Sequence, residues 1–211
     1  MVDLQFDCLD IQAEPFSAAP SLLMTLRITE PSGARVDALA LRCQVRIEPG
    51  GRRYSPDEAE RLQDIFGERS RWAESLKPLQ LANLSTTVPG FTGSTEAKIA
   101  LPCSYDLEVA ATKYFHGLEN GDIPLLLLFS GSAFVSDGER LQVYQVPWSK
   151  ERGYRLPVAV WRGMIEEHFP GSGWVRLGRE TLDALQRYRS RHALTSWDST
   201  MEALLAEAEP E

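Results

Sequence analysis

The side chains that most often bind metals or transfer protons are scattered along this sequence. The three histidines, His116, His168 and His192, are far apart, and none lies in an HxH or HxxxH spacing that would present two ligands together. A catalytic zinc ion needs about three protein ligands. We therefore predict no metal and no other cofactor. His168 follows Glu166 and Glu167, and we expect it to have a structural role near a helix end.

Candidate nucleophiles and phosphate-binding loops are equally incomplete. The segment Ser130-Gly131-Ser132 lacks the G-x-S-x-G elbow of hydrolases, because Leu128 stands at the first glycine position. Gly50-Gly51-Arg52-Arg53 lacks the GK[ST] ending of a P-loop. The sequence therefore predicts a protein that is not an enzyme, and no catalytic residue is assigned. A hydrolase with two scattered carboxylates stays open as a weaker alternative, because the distance between carboxylates cannot be seen in a sequence.

Aromatic residues are better candidates for contacts with a partner, because their rings anchor many interfaces. We expect Trp148, Trp161 and Trp197 to lie in the core, since each belongs to an apolar pattern. Trp72 and Trp174 lie outside such patterns. We interpret both as candidate contacts with a partner or ligand.

Phe91 is the third candidate contact. It lies in the turn-rich segment Pro89-Gly90-Phe91-Thr92-Gly93, where no neighbouring apolar residue offers it a partner. The alternative is that Phe91 covers one end of the domain.

Charge and cysteine content limit the class of partner. The net charge of -8 opposes nucleic acid, whose binding depends on Lys and Arg that neutralise phosphates. The three widely spaced cysteines suit neither a disulfide framework nor a zinc knuckle. We expect no secretory signal, because residues 1–10 carry an acidic Asp3 and no basic residue before an apolar stretch. The longest apolar run, residues 123–129, is too short to span a membrane. We expect a cytoplasmic protein without a membrane span.

Period-two alternation of apolar and polar residues predicts the strands that would position these side chains. It is clearest over residues 39–47 and recurs over 22–28, and we predict that these two strands form a hairpin around Pro31-Ser32-Gly33. Further strands are predicted over residues 4–11, 79–88, 96–101, 107–115, 124–135 and 141–146. Residues 125–129 are apolar on both faces, which predicts a central strand covered on both sides.

These strands predict a mainly β fold. Short connections without alternating helices are typical of an antiparallel β-sandwich, immunoglobulin-like or related. Ser55-Pro56-Asp57-Glu58 supplies an N-cap, an N1 proline and a capping-box carboxylate, which predicts a helical insertion at about 55–75. The apolar period changes to 3.6 near residue 156. We predict a sandwich domain over 1–148 and a helical C-terminal extension over 149–211 that packs on it.

The order of several motifs resembles a bacterial family, common in actinomycetes, whose function is not known. The motifs are Gly117-Leu118-Glu119-Asn120-Gly121-Asp122-Ile123-Pro124-Leu125, Leu128-Phe129-Ser130-Gly131, Val146-Pro147-Trp148, Leu156-Pro157-Val158-Ala159-Val160-Trp161 and Ser196-Trp197-Asp198. The resemblance covers nearly the whole chain. Because such genes often lie beside those of uptake nickel-iron hydrogenases, it implies an accessory role but assigns no functional residue.

Two main functions therefore remain from the sequence, beside the weaker hydrolase alternative. The first is a non-enzymatic protein that binds another protein, with a hydrogenase component as the partner that the resemblance implies. The alternative is a module that binds a small ligand or carbohydrate at the open end of the sandwich, with Phe91 and Trp72 as stacking residues. Homo-oligomer formation is left open by both hypotheses.

Overall fold

The structure is a computed structural model that describes residues 3–104, 106, 109–137 and 140–208. Strands and helices alternate in blocks along the chain. The strands in this part of the chain are β1 (Gln5–Ala13), β2 (Ser21–Thr29), β3 (Arg35–Ile47), β4 (Leu79–Thr92), β5 (Ser94–Pro102), β6 (Asp122–Asp137), β7 (Arg140–Val146) and β8 (Glu151–Pro157). The helices are α1 (Pro56–Arg61), α2 (Gln63–Phe66), α3 (Trp72–Ser75), α4 (Ala110–Gly117), α5 (Val158–His168), α6 (Arg179–Arg191) and α7 (Trp197–Ala208).

Two antiparallel sheets form the body of the protein, so the predicted mainly β sandwich is confirmed. We name them sheet A, with the order β1-β2-β5, and sheet B, with the order β4-β3-β6-β7. β8 also pairs with β6, on the same edge as β7. The strands form because alternate residues are apolar, and in β2 and β3 these residues are the buried ones.

The core lies between the two sheets. Phe6 of sheet A stacks on Phe129 of sheet B, with ring centroids 4.5 Å apart. The alternating residues of β3, from Leu39 to Ile47, are all buried. One contiguous apolar cluster therefore joins both layers.

The predicted hairpin between the second and third strands is wrong. β2 pairs with β1 and β5 in sheet A, whereas β3 pairs with β4 and β6 in sheet B. The turn at Pro31-Ser32-Gly33 therefore carries the chain from one sheet to the other. Glu30 fixes this turn, because its buried carboxylate accepts hydrogen bonds from the Ser32 hydroxyl at 2.8 Å and from the Ala34 N–H at 2.8 Å.

Two further segments differ from the sequence predictions. The strand predicted over 107–115 includes residues 107 and 108, which lie outside the described part. Val109 is the N-cap of α4, and residues 110–115 belong to that helix. Helix α4 buries Ala111, Tyr114 and Phe115, which are spaced as on one face of a helix. The strand was predicted from the apolar residue types and not from this spacing. The loop predicted around Phe91 is the end of β4, where Phe91 pairs with Val36.

The helical insertion lies within 55–75, as predicted. The Ser55 hydroxyl accepts the Glu58 N–H, and the Glu58 carboxylate accepts the Ser55 N–H, each at 3.1 Å, so the predicted capping box is present. Gly67 ends α2 with a φ of 71°.

The C-terminal segment starts as a strand. Residues 151–157, which we had placed in the helical extension, form β8 because Tyr154 and Leu156 point into the protein between exposed neighbours. Helix α5 follows directly and buries Trp161, Met164 and Ile165. It packs against β1, β2 and β8 and so belongs to the core of the sandwich.

Two compact units divide the chain. The first comprises Met1–Trp174 and the second Val175–Glu211. Within the second unit α6 and α7 contact each other: the Tyr188 hydroxyl donates to the Glu207 carboxylate at 2.8 Å, and the Arg189 guanidinium lies 4.6 Å from the centre of the Trp197 ring. In the described part of the chain, none of the helices has the length and apolar surface needed to cross a membrane.

Candidate functional site

The three aromatic contacts predicted from the sequence lie apart: Phe91 in β4, Trp72 in α3 and Trp174 between α5 and α6. Phe91 and Trp72 are both buried. The Trp72 indole N–H donates to the Gly67 carbonyl at 2.9 Å, and the ring packs edge-on against Tyr54 and Phe66. Their rings therefore pack within the folded chain and are not presented to a partner or ligand at the surface.

Trp174 is 62% exposed. Its ring lies 5.7 Å from that of Phe169, and its backbone forms an isolated bridge with Asp106. Trp174 is thus the one of the three predicted contacts whose ring reaches the surface. No described cavity brings it together with Phe91 or Trp72.

A groove of about 720 Å³ crosses the outer face of sheet B. Strand register explains which side chains line it. Arg42 lies opposite Ser85 on β4 and Ser130 on β6, and in the next outward-facing row Gln44 lies opposite Asn83 and Leu128. We call this the Trp148 groove; its lining residues are Arg42, Cys43, Gln44, Arg46, Asn83, Leu84, Ser85, Leu128, Phe129, Ser130, Trp148, Ser149 and Glu151.

Trp148 is the most exposed aromatic side chain in this groove, with 89% of its surface accessible. It lies in a turn between β7 and β8, closed by a 3.1 Å hydrogen bond from the Lys150 N–H to the Pro147 carbonyl. The Phe129 N–H donates to the Lys150 carbonyl at 2.9 Å, which anchors the turn to β6. β7 and β8 pair with successive stretches of β6 on the same side of that strand. The turn between them interrupts this pairing, and Trp148 lies in the turn.

The expectation that Trp148 lies in the core is wrong, whereas that for Trp161 is confirmed. The expectation is also wrong for Trp197, which is 38% exposed. The sequence did contain a signal for Trp148: Pro147 before it and Ser149 after it are turn residues, which end a strand pattern. The alternation of β8 is weak, so the second flanking strand was missed.

Leu126 and Leu128 line this outer face and are partly exposed. Residues 125–129 were predicted to be covered on both sides because they are continuously apolar. Their inward-facing members are buried, but the outer members are only half-buried. One side of this central strand is thus open to the groove.

The charges of the groove are unevenly balanced. Arg46 forms an ion pair with Glu48 at 3.1 Å. Arg42 is exposed, and none of the described residues forms a hydrogen bond or an ion pair with its guanidinium. Glu151 is the carboxylate that lines the groove. The groove therefore presents a guanidinium in a chain whose net charge is -8.

A buried ion pair joins the start of α1 to the segment after α4, and its residues do not line this groove. Arg52 donates two hydrogen bonds to Glu58, at 2.7 and 2.9 Å, and Glu58 also accepts the N–H groups of Glu119 and Ser55. Burial by itself would raise the pKa of Glu58. The N–H groups of Glu119 and Ser55, together with Arg52, outweigh it and hold that pKa below its usual value.

Nucleophilic and metal chemistry gain no support from the described residues. Burial raises the pKa of Cys8, Cys43 and Cys103 to about 12 each, so these thiols are protonated near neutral pH. No group of three His, Cys, Asp or Glu residues in the described part could hold a metal ion. Burial, followed by the neighbouring Arg162, lowers the pKa of His116.

Comparisons with known proteins give a family and distant structural likenesses. A model of a family of unknown function matches residues 1–211. No curated protein matches the chain. Two solved structures of β-glucosidase 3B from Thermotoga neapolitana, in complex with α-D-glucose and with glycerol, are 16% and 15% identical. Each alignment has a TM-score of 0.26 and covers 73% of this chain, which spans 17% of the glycosidase chain.

Proposed function

The chain belongs to DUF6084, a family of unknown function, and on the evidence of its own surface we propose that it is a non-enzymatic protein that binds another protein through the Trp148 groove. The single observation that carries this proposal is the indole ring of Trp148, 89% exposed on an anchored turn. An exposed tryptophan costs solubility, and in interfaces this residue type provides much of the binding free energy.

The surface around the groove favours a protein over a small molecule. Leu141 and Val143 on β7 are 62% and 52% exposed. The strand register places Val143 opposite Phe134 and Leu141 opposite Ser136, on the same face of sheet B as Ser130. Apolar surface therefore continues from the groove along β7. Such an extended apolar face suits a protein interface.

Arg42 indicates the chemistry of that partner. Its guanidinium has no partner among the described residues, and an arginine beside an exposed tryptophan is typical of interface hot spots. A carboxylate on the partner would form a charge-assisted pair with it. The proposed partner therefore presents an apolar side chain to Trp148 and an acidic side chain to Arg42. A nickel-iron hydrogenase component, implied by the sequence resemblance, is the first specific partner to test.

Quantitative affinity capture with matched variants tests this proposal. Wild-type protein, Trp148→Ala and Trp174→Ala are used as bait, because Trp174 is a second exposed tryptophan outside the groove. We expect one interactor to fall at least about tenfold with Trp148→Ala and to be retained with Trp174→Ala. The same interactor should fall with Arg42→Glu. Equal capture by all variants would contradict the proposal.

The polar lining supports a second candidate, a carbohydrate-binding module. Gln44, Asn83, Ser85 and Ser130 line the same groove as the exposed indole ring. Sugars stack on such rings while their hydroxyls bond to amides and hydroxyls. A thermal-shift series with neutral oligosaccharides separates the two candidates. A saturable rise in midpoint that disappears in Trp148→Ala would favour the carbohydrate.

A hydrolase has less support from the cavities described. Two catalytic carboxylates must face each other across a cleft. Glu151 is the single carboxylate that lines the Trp148 groove, and Asp122 the single one in the cavity beside Gly50 and Gly51. That the protein is not an enzyme remains part of our proposal.

A further inference from the structure

The edge of sheet B formed by β7 lacks a partner strand in the described part of the chain. β7 pairs with β6 from Asp137↔Arg140 to Gly131↔Val146 without a register shift. No other described strand pairs with it. The outward N–H and C=O groups of such an edge strand form a regular template for one more strand.

The other sheet edges carry features that oppose strand addition. β4 contains Pro89, which has no N–H to donate. β1 has a bulge and carries Asp7 and Asp10. β5 carries Glu96 and Lys98 and lies beside β4, and β8 lies beside β1. Charges, prolines and bulges are the devices by which edge strands avoid pairing with other chains.

β7 has none of these devices between Leu141 and Val146. The six residues Leu-Gln-Val-Tyr-Gln-Val are uncharged and include no proline. Val and Tyr are residue types with high strand propensity. The exposed side chains of Leu141 and Val143 lie on the outer face, where the side chains of an added strand would pack beside them.

We propose that β7 is the contact through which two copies of this chain associate. The two β7 strands pair antiparallel about a two-fold axis at Val143, so that Val143 faces Val143 of the second copy. In this register Leu141 faces Gln145, and Gln142 faces Tyr144. No two like charges meet, since Arg140 lies opposite Val146.

The uncharged edge is the reason for choosing a second copy as the occupant. Copies with a net charge of -8 repel each other, so a contact that adds no like-charge pair is favoured. The β7 strand offers such a contact and is also complementary to itself. A two-fold pairing is isologous and closed, so it stops at the dimer. The dimer has one ten-stranded sheet, with both Trp148 grooves on the same face.

Sedimentation velocity over about a hundredfold range of protein concentration tests this pairing. The mass is expected to rise from 23.6 kDa towards twice that value. Val143→Lys and Val143→Glu each place like charges face to face and should weaken the dimer at least about tenfold. Val143→Thr, which keeps a β-branched uncharged side chain, should leave dimerisation within about threefold of the wild type.

A mixture of the Val143→Lys and Val143→Glu proteins tests the two-fold pairing at Val143 most directly. Opposite charges then meet at the two-fold axis, and the dimer should reappear. Circular dichroism of each variant verifies folding. A wild type that stays monomeric at every concentration would overturn the proposal. So would a dimer that Val143→Lys leaves intact, or a charge-swapped mixture that stays monomeric.

Discussion

Trp148 is exposed because of the residues on either side of it. Pro147 ends β7, and the hydrogen bond from the Lys150 N–H to the Pro147 carbonyl closes the turn. Trp161, by contrast, lies on a helix face beside Phe115 and is buried. Two tryptophans in similar apolar sequence patterns thus have opposite environments. The local backbone, more than the side-chain type, decides which of them can meet a partner.

Substituting each of these tryptophans should separate binding from stability. Trp148→Ala is expected to change the free energy of unfolding by less than about 0.5 kcal/mol, because the ring makes little contact with the folded chain. Trp161→Ala should cost about 3 to 5 kcal/mol through the lost burial and the cavity left behind. Urea unfolding measures both values. A loss above about 1 kcal/mol for Trp148→Ala would show that the ring is packed.

Glu58 should make stability depend on pH. Its pKa is lower in the folded protein than its usual value of 4.5. The ion pair therefore stabilises the fold above the unfolded-state pKa, and this contribution is lost as the pH falls through the folded-state pKa. Glu58→Gln should cost about 3 kcal/mol at neutral pH. The difference from wild type should narrow below pH 4.5.

Glu96 provides the matched control for this ion pair. Its contact with Arg27 is 3.0 Å long, but both side chains are about half exposed. Glu96→Gln should therefore change the free energy of unfolding by less than about 1 kcal/mol. Denaturant unfolding at several pH values measures both variants. A gap between Glu58→Gln and wild type that stays constant down to low pH would contradict the assignment.

At the scale of elements, local sequence patterns predicted most strands and the start of a helix, because both depend on residues that are close in the sequence. Alternating or continuously apolar runs located seven of the eight described strands, and Ser55 with Glu58 located the start of α1. β8 was missed because Glu151, Arg152 and Arg155 interrupt its alternation. α4 was mistaken for a strand because its buried residues include Thr112, Tyr114 and Phe115, which are β-branched and aromatic types that also favour strands.

Strand partners were harder to predict than strands. Which strand pairs with which depends on contacts between distant residues. The short turn after β2 made a hairpin with β3 look favourable, although Glu30 fixes that turn as a crossing between sheets. The Trp148 groove could not be predicted for the same reason. Its lining residues come from four separate segments that only the register of sheet B aligns.

Two glycines should respond in opposite ways to an added methyl group. Gly131 in β6 has a φ of 146°, and a Cβ there would lie 2.1 Å from the Ala40 carbonyl oxygen. Gly131→Ala should therefore cost about 3 kcal/mol through strain and displacement of β3. Gly163 lies in α5 with open space around it, so Gly163→Ala should stabilise by about 0.5 to 1 kcal/mol. Thermal unfolding compares the two variants, and equal midpoints would contradict this account.

At the scale of the whole molecule, the first unit contains the entire described core. Its buried apolar residues run from Leu4 to Ile165, and none lies in the second unit. Helix α5 is therefore the part of the C-terminal extension that completes the sandwich. The packing of Val175–Glu211 on the sandwich stays a prediction.

Truncation at two points should distinguish these parts. Ending the chain after Trp174 should leave a cooperative unfolding transition within a few degrees of the wild type, because the core is kept. Ending it after Pro157 removes Trp161, Met164 and Ile165 and should abolish that transition. Calorimetry measures both. Loss of cooperative unfolding in the longer fragment would mean that the second unit contributes to the core.

Site-specific photo-crosslinking tests the central claim most directly, namely that the outer face of sheet B around Trp148 is where another protein binds. A photoreactive residue replaces Ser130 in the groove or, as the control, Ser94 at the start of β5 in sheet A. We predict a discrete adduct with one protein from position 130, lost when Arg42→Glu is added, and none from position 94. Equal labelling from both positions, or an adduct that Arg42→Glu leaves unchanged, would contradict the claim.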